Sequence, residues 1–271
     1  MSRGLGDVYK RQELNNSETA FIFEADSPDY DIEVRFFTPT TEVPICGHAT
    51  IAAHYVRAKE THMEGGTVVQ KTKAGILPVD VVRTPNDYSI TMTQGTPAIS
   101  APFGDAVRER IADALGIAHE EICREYPVAV ASTGHSKVMV PIYSNELLHG
   151  LQPDLQKLTK ISKQIECNGY YVFTLNPQNK ILVHGRMFAP AIGIAEDPVT
   201  GNANGPLGAY LVHFNILQDE DARCFDFDIM QGEAIKRDGT MHVHVEKEHG
   251  TPKLVQITGN AVIAFSTEIT I

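Results

Sequence analysis

From Asp31 to Phe36 the chain alternates: Ile32, Val34 and Phe36 are apolar, and Asp31, Glu33 and Arg35 are charged. That is the period of a strand with one face in a core. A second short strand precedes it. After the turn of "RFFTP" and a glycine comes "HATIAAHYV", from His48, which is apolar nearly all round and predicts a buried helix. More β follows in "GTVVQKTKAGILPVDVV" and "DYSITMTQG". The same order returns later. "CNGYYVFTLNPQNKILVHGRMFAP", from Cys167, supplies two strands and the turn, and "NANGPLGAYLV" the buried helix. "FDIMQGEAIKRDGTMHVHVE" and "KLVQITG" supply the later β. Phe173 aligns with Phe23, Arg186 with Arg35 and Gly201 with Gly47, with only a few insertions between copies.

One architecture encoded twice predicts an α+β fold of two lobes related by a pseudo-twofold axis. Each lobe is a curved β-sheet, or barrel, wrapped around a central helix. The expected division is 1–100 for the N-terminal lobe and 101–271 for the C-terminal lobe, with the last strand able to return to the first. "QGTPAISAP", Gln94 to Pro102, supplies the link. Asp105 to Leu115 predicts an amphipathic surface helix. The second copy also owns Pro127 to Glu166, two strands ("PVAVAS", "HSKVMVPI") and a helix ("DLQKLTKISKQI"), where the first has only 16 residues before Ser17. The N-terminal lobe is therefore expected to lack its opening strands. Twofold similarity predicts a cleft between lobes, faced by the helix starts at Gly47 and Gly201. Helix N-termini offer unpaired N–H groups and partial positive charge to an anionic substrate.

Charge and composition narrow the partner. The net charge is −11 and there is no run of Lys or Arg, so the attraction that drives binding to nucleic acid or an anionic membrane is absent. A small-molecule substrate is expected. Cys46, Cys123, Cys167 and Cys224 are far apart in sequence, without a C-x-x-C pair or a His at ligand spacing, and predict neither zinc nor a disulfide scaffold. Reduced thiols, with no bilayer-length apolar run and no apolar leader in "MSRGLGDVYKRQ", predict a cytoplasmic protein.

Candidate chemistry gathers at equivalent places in the two copies. Glu18, in "NNSETAF", precedes a strand; an exposed strand-edge acid is the bland reading. A carboxylate at a lobe junction would instead suit general acid–base work, because desolvation raises its pKa towards working pH. His48 and its repeat mate Asn202 both start a central helix, an arrangement that fits a site better than core packing. Asp197 precedes Pro198, which favours extended backbone. Asp197 could cap the next helix, but Thr200 is nearer and could do so, leaving Asp197 to orient a substrate. The glycines Gly201, Gly205 and Gly208 match neither a Walker loop nor G-x-G-x-x-G. Cys46 could serve a two-thiol racemase only with a second cysteine opposite, and the repeat puts Thr200 there. Cys46 then reads as a buried small side chain or a substrate contact. His242 and His244 share a strand face with Glu246; without a third ligand nearby they read as a solvated face.

"SETAF", "RFFTPTTEVPICGHAT", "GRMFAPAIGIAEDPVTGNANGPLGAYLVH" and "QITGNAVIAF" together resemble the PhzF-like isomerases, the phenazine-biosynthesis type, within the diaminopimelate epimerase fold. The resemblance runs from about Glu13 to the C-terminus and looks closest to an uncharacterised bacterial branch. It implies a cofactor-free, metal-free isomerase, typically homodimeric, that relocates a proton on a small carboxylated substrate. The family's acid–base glutamate falls on Glu18, its G-H histidine on His48 and its E-D-x-x-T-G aspartate on Asp197. The substrate contacts fall on Cys46, Gly47, Thr200, Gly201 and Asn202. Asn202 replaces a family serine, and "MSRGLGDVYKRQ" lacks the family's D-A-F strand. Two alternatives stay open: an amino-acid epimerase or racemase, and a small-molecule-binding protein without turnover.

Overall fold

The computed structural model describes residues 18–38, 41–216 and 222–268. The expectations about the opening stretch and the turn at Pro39 lie outside the described residues. The chain divides into two compact units, one of residues up to Met92 and from Thr258 onward, the other Thr93–Ile257.

In the first unit the alternating segment forms β2 (Ile32–Phe37), flanked by β1 (Thr19–Glu24) and the two-residue β3 (Glu42–Val43). Helix α1 (Gly47–Glu60) then crosses to β4 (Gly66–Thr72), which pairs parallel to β2. β5 (Gly75–Arg83) and β6 (Tyr88–Thr93) complete the order β1-β2-β4-β5-β6. The inward residues of β2, Ile32, Val34 and Phe36, are buried as the alternation requires.

The second unit begins with β7 (Ala98–Ile99), helix α2 (Asp105–Leu115), β8 (Ala129–Ser132) and β9 (Ser136–Pro141). Helices α3 (Asn145–Gly150) and α4 (Leu155–Ile165) follow. The repeat then runs through β10 (Tyr170–Leu175), β11 (Ile181–Ala189) and the short β12 (Ile194–Asp197). After α5 (Gly201–His213) come β13 (Cys224–Gln231), β14 (Gly239–Glu248) and β15 (Thr251–Gly259). The order β10-β11-β13-β14-β15 repeats β1-β2-β4-β5-β6, with β12 beside β11 as β3 is beside β2. In both units the arginine lies in the antiparallel pair, Arg35 opposite Phe21 and Arg186 opposite Val172; with Phe173 over Phe23, the pairing is shifted by one residue between the copies. The fold is thus mixed α+β of the diaminopimelate epimerase-like kind, with one topology used twice.

The central helices differ in cover. Leu207 and Leu211 of α5 are fully buried, whereas Val56 of α1 is 40% exposed and Ala52 is also open. Burial all round holds for α5 and not for α1, whose stretch Ile51 to Val56 is, as the unequal copies lead one to expect, less covered than Leu207 to Leu211. Gly208 explains how α5 sits so close to its sheet, since a Cβ there would lie 2.7 Å from Val243 Cγ1. Helix α2 is amphipathic as expected, with Ile111 and Leu115 buried in a cluster with Val138, Leu158, Tyr170 and Phe188.

Candidate active site

Glu18 stands immediately before β1, whose first residue, Thr19, pairs with Phe37 at the end of β2. The chain leaves β2 there and reaches α1 through Cys46, so antiparallel pairing returns the carboxylate to the helix start. Glu18 Oε2 lies 3.1 Å from His48 Nε2, and Cys46 Sγ lies 3.6 Å from the same nitrogen. Three groups far apart in composition thus meet at one helix N-terminus.

Cys46 occupies the N-cap position of α1 without a side-chain cap, and the first turn carries no acid. The backbone donors of Gly47 and its neighbours therefore keep their partial positive charge for an incoming anion. A cavity of about 340 Å³ adjoins the group, lined by Glu18, Thr19, Ile22, His48, Ala52 and Val56 among others. Its size suits a small molecule, and the apolar lining beside a few polar groups is the usual composition of a ligand site.

Two histidines on α1 illustrate how burial and partners separate a core group from a reactive one. His54 is buried and meets Gln70 Oε1 at 3.0 Å; burial lowers its pKa and keeps it neutral. For His48, burial also opposes the charge, but hydrogen bonds to Cys46 and Glu18, and the charges of both, outweigh it. The imidazole pKa is raised to about 11. The raised pKa favours the imidazolium, in which Nε2–H donates to Glu18.

The second unit holds the remaining candidates. Asp197 ends β12 in extended backbone, as Pro198 requires, and accepts a hydrogen bond from Thr200 Oγ1 at 2.5 Å. Thr200 is the N-cap residue of α5 but makes no side-chain cap, so the expectation that its hydroxyl caps the helix is corrected. The hydroxyl is spent on Asp197 instead. Gly201 is buried and Asn202 half-buried in the first turn of α5, which also lacks an acid.

Sequence reasoning missed the residues that hold this end in place. Gln231, 1% exposed, donates to Asp197 O at 2.7 Å and accepts from Thr200 N at 3.2 Å and Asn204 Nδ2 at 3.0 Å. Its one signal was a polar residue where β13 should face the core. Lys137, buried on β9, is a second omission: burial lowers its pKa, and the charges of Cys167 and Asp197 partly offset this. Gly169 makes room for it, because a Cβ there would lie 2.3 Å from Lys137 Cδ. Glu196, next to Asp197, is bound by Arg186 through two hydrogen bonds, leaving Asp197 as the acid of the pair that meets the helix start.

Glu18, Cys46 and His48 also offer a carboxylate, a thiol and an imidazole within 4.8 Å of one another, a grouping able to hold a metal ion. Among the described residues no helix is long and apolar enough to cross a membrane.

Residues 11–267 match the profile of a family described as phenazine biosynthesis-like protein, PhzC-PhzF. An uncharacterized isomerase of Clostridium acetobutylicum is 54% identical over 259 residues, 95% of this chain and 85% of that protein. The uncharacterized isomerase YddE of Escherichia coli K12 is 48% identical, again over 95% of this chain and 85% of its own length. A solved phenazine biosynthesis protein of the PhzF family from Bacillus anthracis superposes with a TM-score of 0.87 at 28% identity, covering 99% of this chain and 89% of that one.

Proposed function

The chain belongs to the phenazine biosynthesis-like (PhzC-PhzF) family of isomerases, and from that premise we propose that it relocates a proton on a small carboxylated substrate, amino- or hydroxy-acid-like, without a cofactor. The observation that carries this reading is the 3.1 Å contact of Glu18 with His48 beside the uncapped start of α1. With Nε2–H of the imidazolium turned to its carboxylate, Glu18 is assigned as the base. Glu18 takes a proton from a substrate carbon, and the electron pair of that C–H bond spreads into the adjoining unsaturated or carboxyl group. The protonated Glu18 then returns the proton to another carbon, so the base is regenerated and the substrate is isomerised. The uncapped starts of α1 at Gly47 and α5 at Gly201 suit a carboxylate and the charge that grows on it. Asp197, supported by Thr200, and Asn202 are assigned the substrate's polar groups, and Cys46 a packing contact beside His48.

The test is solvent-deuterium incorporation into a panel of small unsaturated and hydroxylated amino and carboxylic acids in D2O. Incorporation at a new carbon, lost in Glu18→Gln, supports the reading. Incorporation with inversion at the original carbon replaces it with epimerisation. Saturable binding without exchange or rearrangement for any acid that binds overturns it in favour of a binding protein.

A further inference from the structure

β13 and β14 place six side chains on one sheet face: Cys224, Asp226 and Asp228 from one strand, His242, His244 and Glu246 from the other. They stand directly opposite in register, Cys224 with Glu246, Asp226 with His244 and Asp228 with His242. The residues between them, including Phe227, Val243 and Val245, turn inward and are buried. A merely solvated face mixes Lys, Thr and Ser with its acids. Here all six positions carry side chains of metal-ligating type, and no Lys or Arg is among the six. Along its own strand the pair His242 and His244 has only Glu246 beside it, and pairing with β13 adds Cys224, Asp226 and Asp228.

We propose that this face binds one divalent transition-metal ion of zinc-like softness through Cys224, Asp226 and His244, with His242 as the fourth ligand. The ligand atoms of Cys224, Asp226 and His244 already lie within 4.8 Å of one another. His244 Nδ1 is 2.7 Å and His242 Nε2 3.1 Å from the same oxygen, Asp226 Oδ1. Ligand atoms around a tetrahedral zinc stand about 3.3–3.8 Å apart, so only small rotamer adjustments separate the observed cluster from a coordination shell. The outer groups are in place too. Asp228 Oδ1 holds His242 Nδ1 at 2.9 Å, which turns Nε2 inward, and Glu246 lies 3.8 Å from His244 Nε2. Carboxylates behind ligating imidazoles are the arrangement that orients and strengthens them in metal sites. A thiolate and one carboxylate neutralise a divalent ion, and the sulfur and nitrogen donors select against magnesium and calcium. The exposed position of Cys224 provides an entry path. Bound there, the ion ties β13 to β14.

The full-length protein, stripped with a chelator and dialysed, is titrated with Co2+ alone. The expected result is one ion per chain with a thiolate-to-cobalt charge-transfer band, displaced by Zn2+. Cys224→Ser removes the band, His244→Ala abolishes saturable binding, and Asp228→Asn weakens affinity at least about tenfold. Absence of saturable binding overturns the proposal. So does a band that survives Cys224→Ser and disappears in Cys46→Ser, which places the ion on Glu18, Cys46 and His48 instead.

Discussion

Arg186 grips Glu196 with two parallel hydrogen bonds, Nε to Oε1 at 2.9 Å and Nη2 to Oε2 at 2.7 Å. Arg35 holds Glu42 through the same atoms at 2.8 and 3.0 Å. Both arginines occupy equivalent places on β2 and β11, and both acids lie on or beside the short strand that follows. The fork is the repeated fastener of each unit, and in the second it occupies Glu196 rather than Asp197.

The two forks differ in depth, and stability should follow. The Arg186 side chain is 8% exposed and also donates to the carbonyls of Leu148 and Leu151. Arg35 is 27% exposed. Arg186→Met strands a largely buried carboxylate and two carbonyls, at a cost of about 3–5 kcal/mol. Arg35→Met should cost visibly less. Urea melts of both variants check the order; equal losses would show that burial does not set the value of the fork.

Glu18→Gln keeps the shape and a hydrogen bond to His48 but cannot carry the proton. Turnover should fall by about 10²–10⁴-fold, the usual contribution of a positioned acid–base group. The melting temperature should stay within a few degrees. Asp197→Asn should raise KM more than it lowers kcat, because that residue is assigned to orientation. The reverse split for Asp197 would assign it part of the proton transfer.

How much of this was legible beforehand follows from what each feature depends on. The two strands, the central helix and the repeat are local patterns, and Arg35 over Arg186 marks the repeat. Glu18 and His48 stand out in the sequence because both sit at punctuation points, a strand start and a Gly-led helix start, and they lie 3.1 Å apart in the structure. The upward shift of the His48 pKa was not legible, since it depends on a thiol, a carboxylate and burial acting together across 30 residues of chain. Gln231 and Lys137 were invisible because their importance comes only from burial, which polar composition argues against. The cross-strand partners of His242 and His244 were not legible for a simpler reason: neighbours such as Asp226 and His244 have no fixed sequence spacing.

His48 gives a pH dependence with a definite sign. Burial opposes its charge, but Cys46 and Glu18 raise its pKa from the usual 6.5 to about 11. A group protonated more readily when folded stabilises fully below its unfolded pKa, and that contribution is lost as pH rises towards the folded value. Denaturation midpoints of the wild type should therefore decline between roughly pH 7 and pH 10 more steeply than those of His48→Asn. Parallel curves would mean that His48 is not held as an imidazolium, and the assignment of Glu18 as base would lose its support.

The close seat of α5 makes the last prediction. Gly→Ala within a helix ordinarily stabilises by about 0.5–1 kcal/mol, because alanine loses less backbone freedom on folding. At Gly208 the added Cβ would lie 2.7 Å from Val243 Cγ1 and 2.8 Å from Val245 Cγ2. Both neighbours are buried and β-branched, with few rotamers to retreat into. The helix would have to lift instead, and overpacking of that kind costs about 1–3 kcal/mol. Gly208→Ala should thus be destabilising. Gly205→Ala meets Gln94 Cγ at 3.2 Å and Thr133 Oγ1 at 3.3 Å, contacts that a flexible side chain and a small hydroxyl can relieve, so it should cost less. Lifting α5 also shifts its first turn, where Thr200 holds Asp197, so Gly208→Ala should raise KM as it lowers the melting temperature. A Gly208→Ala protein as stable as the wild type would show that the helix has room the structure does not indicate.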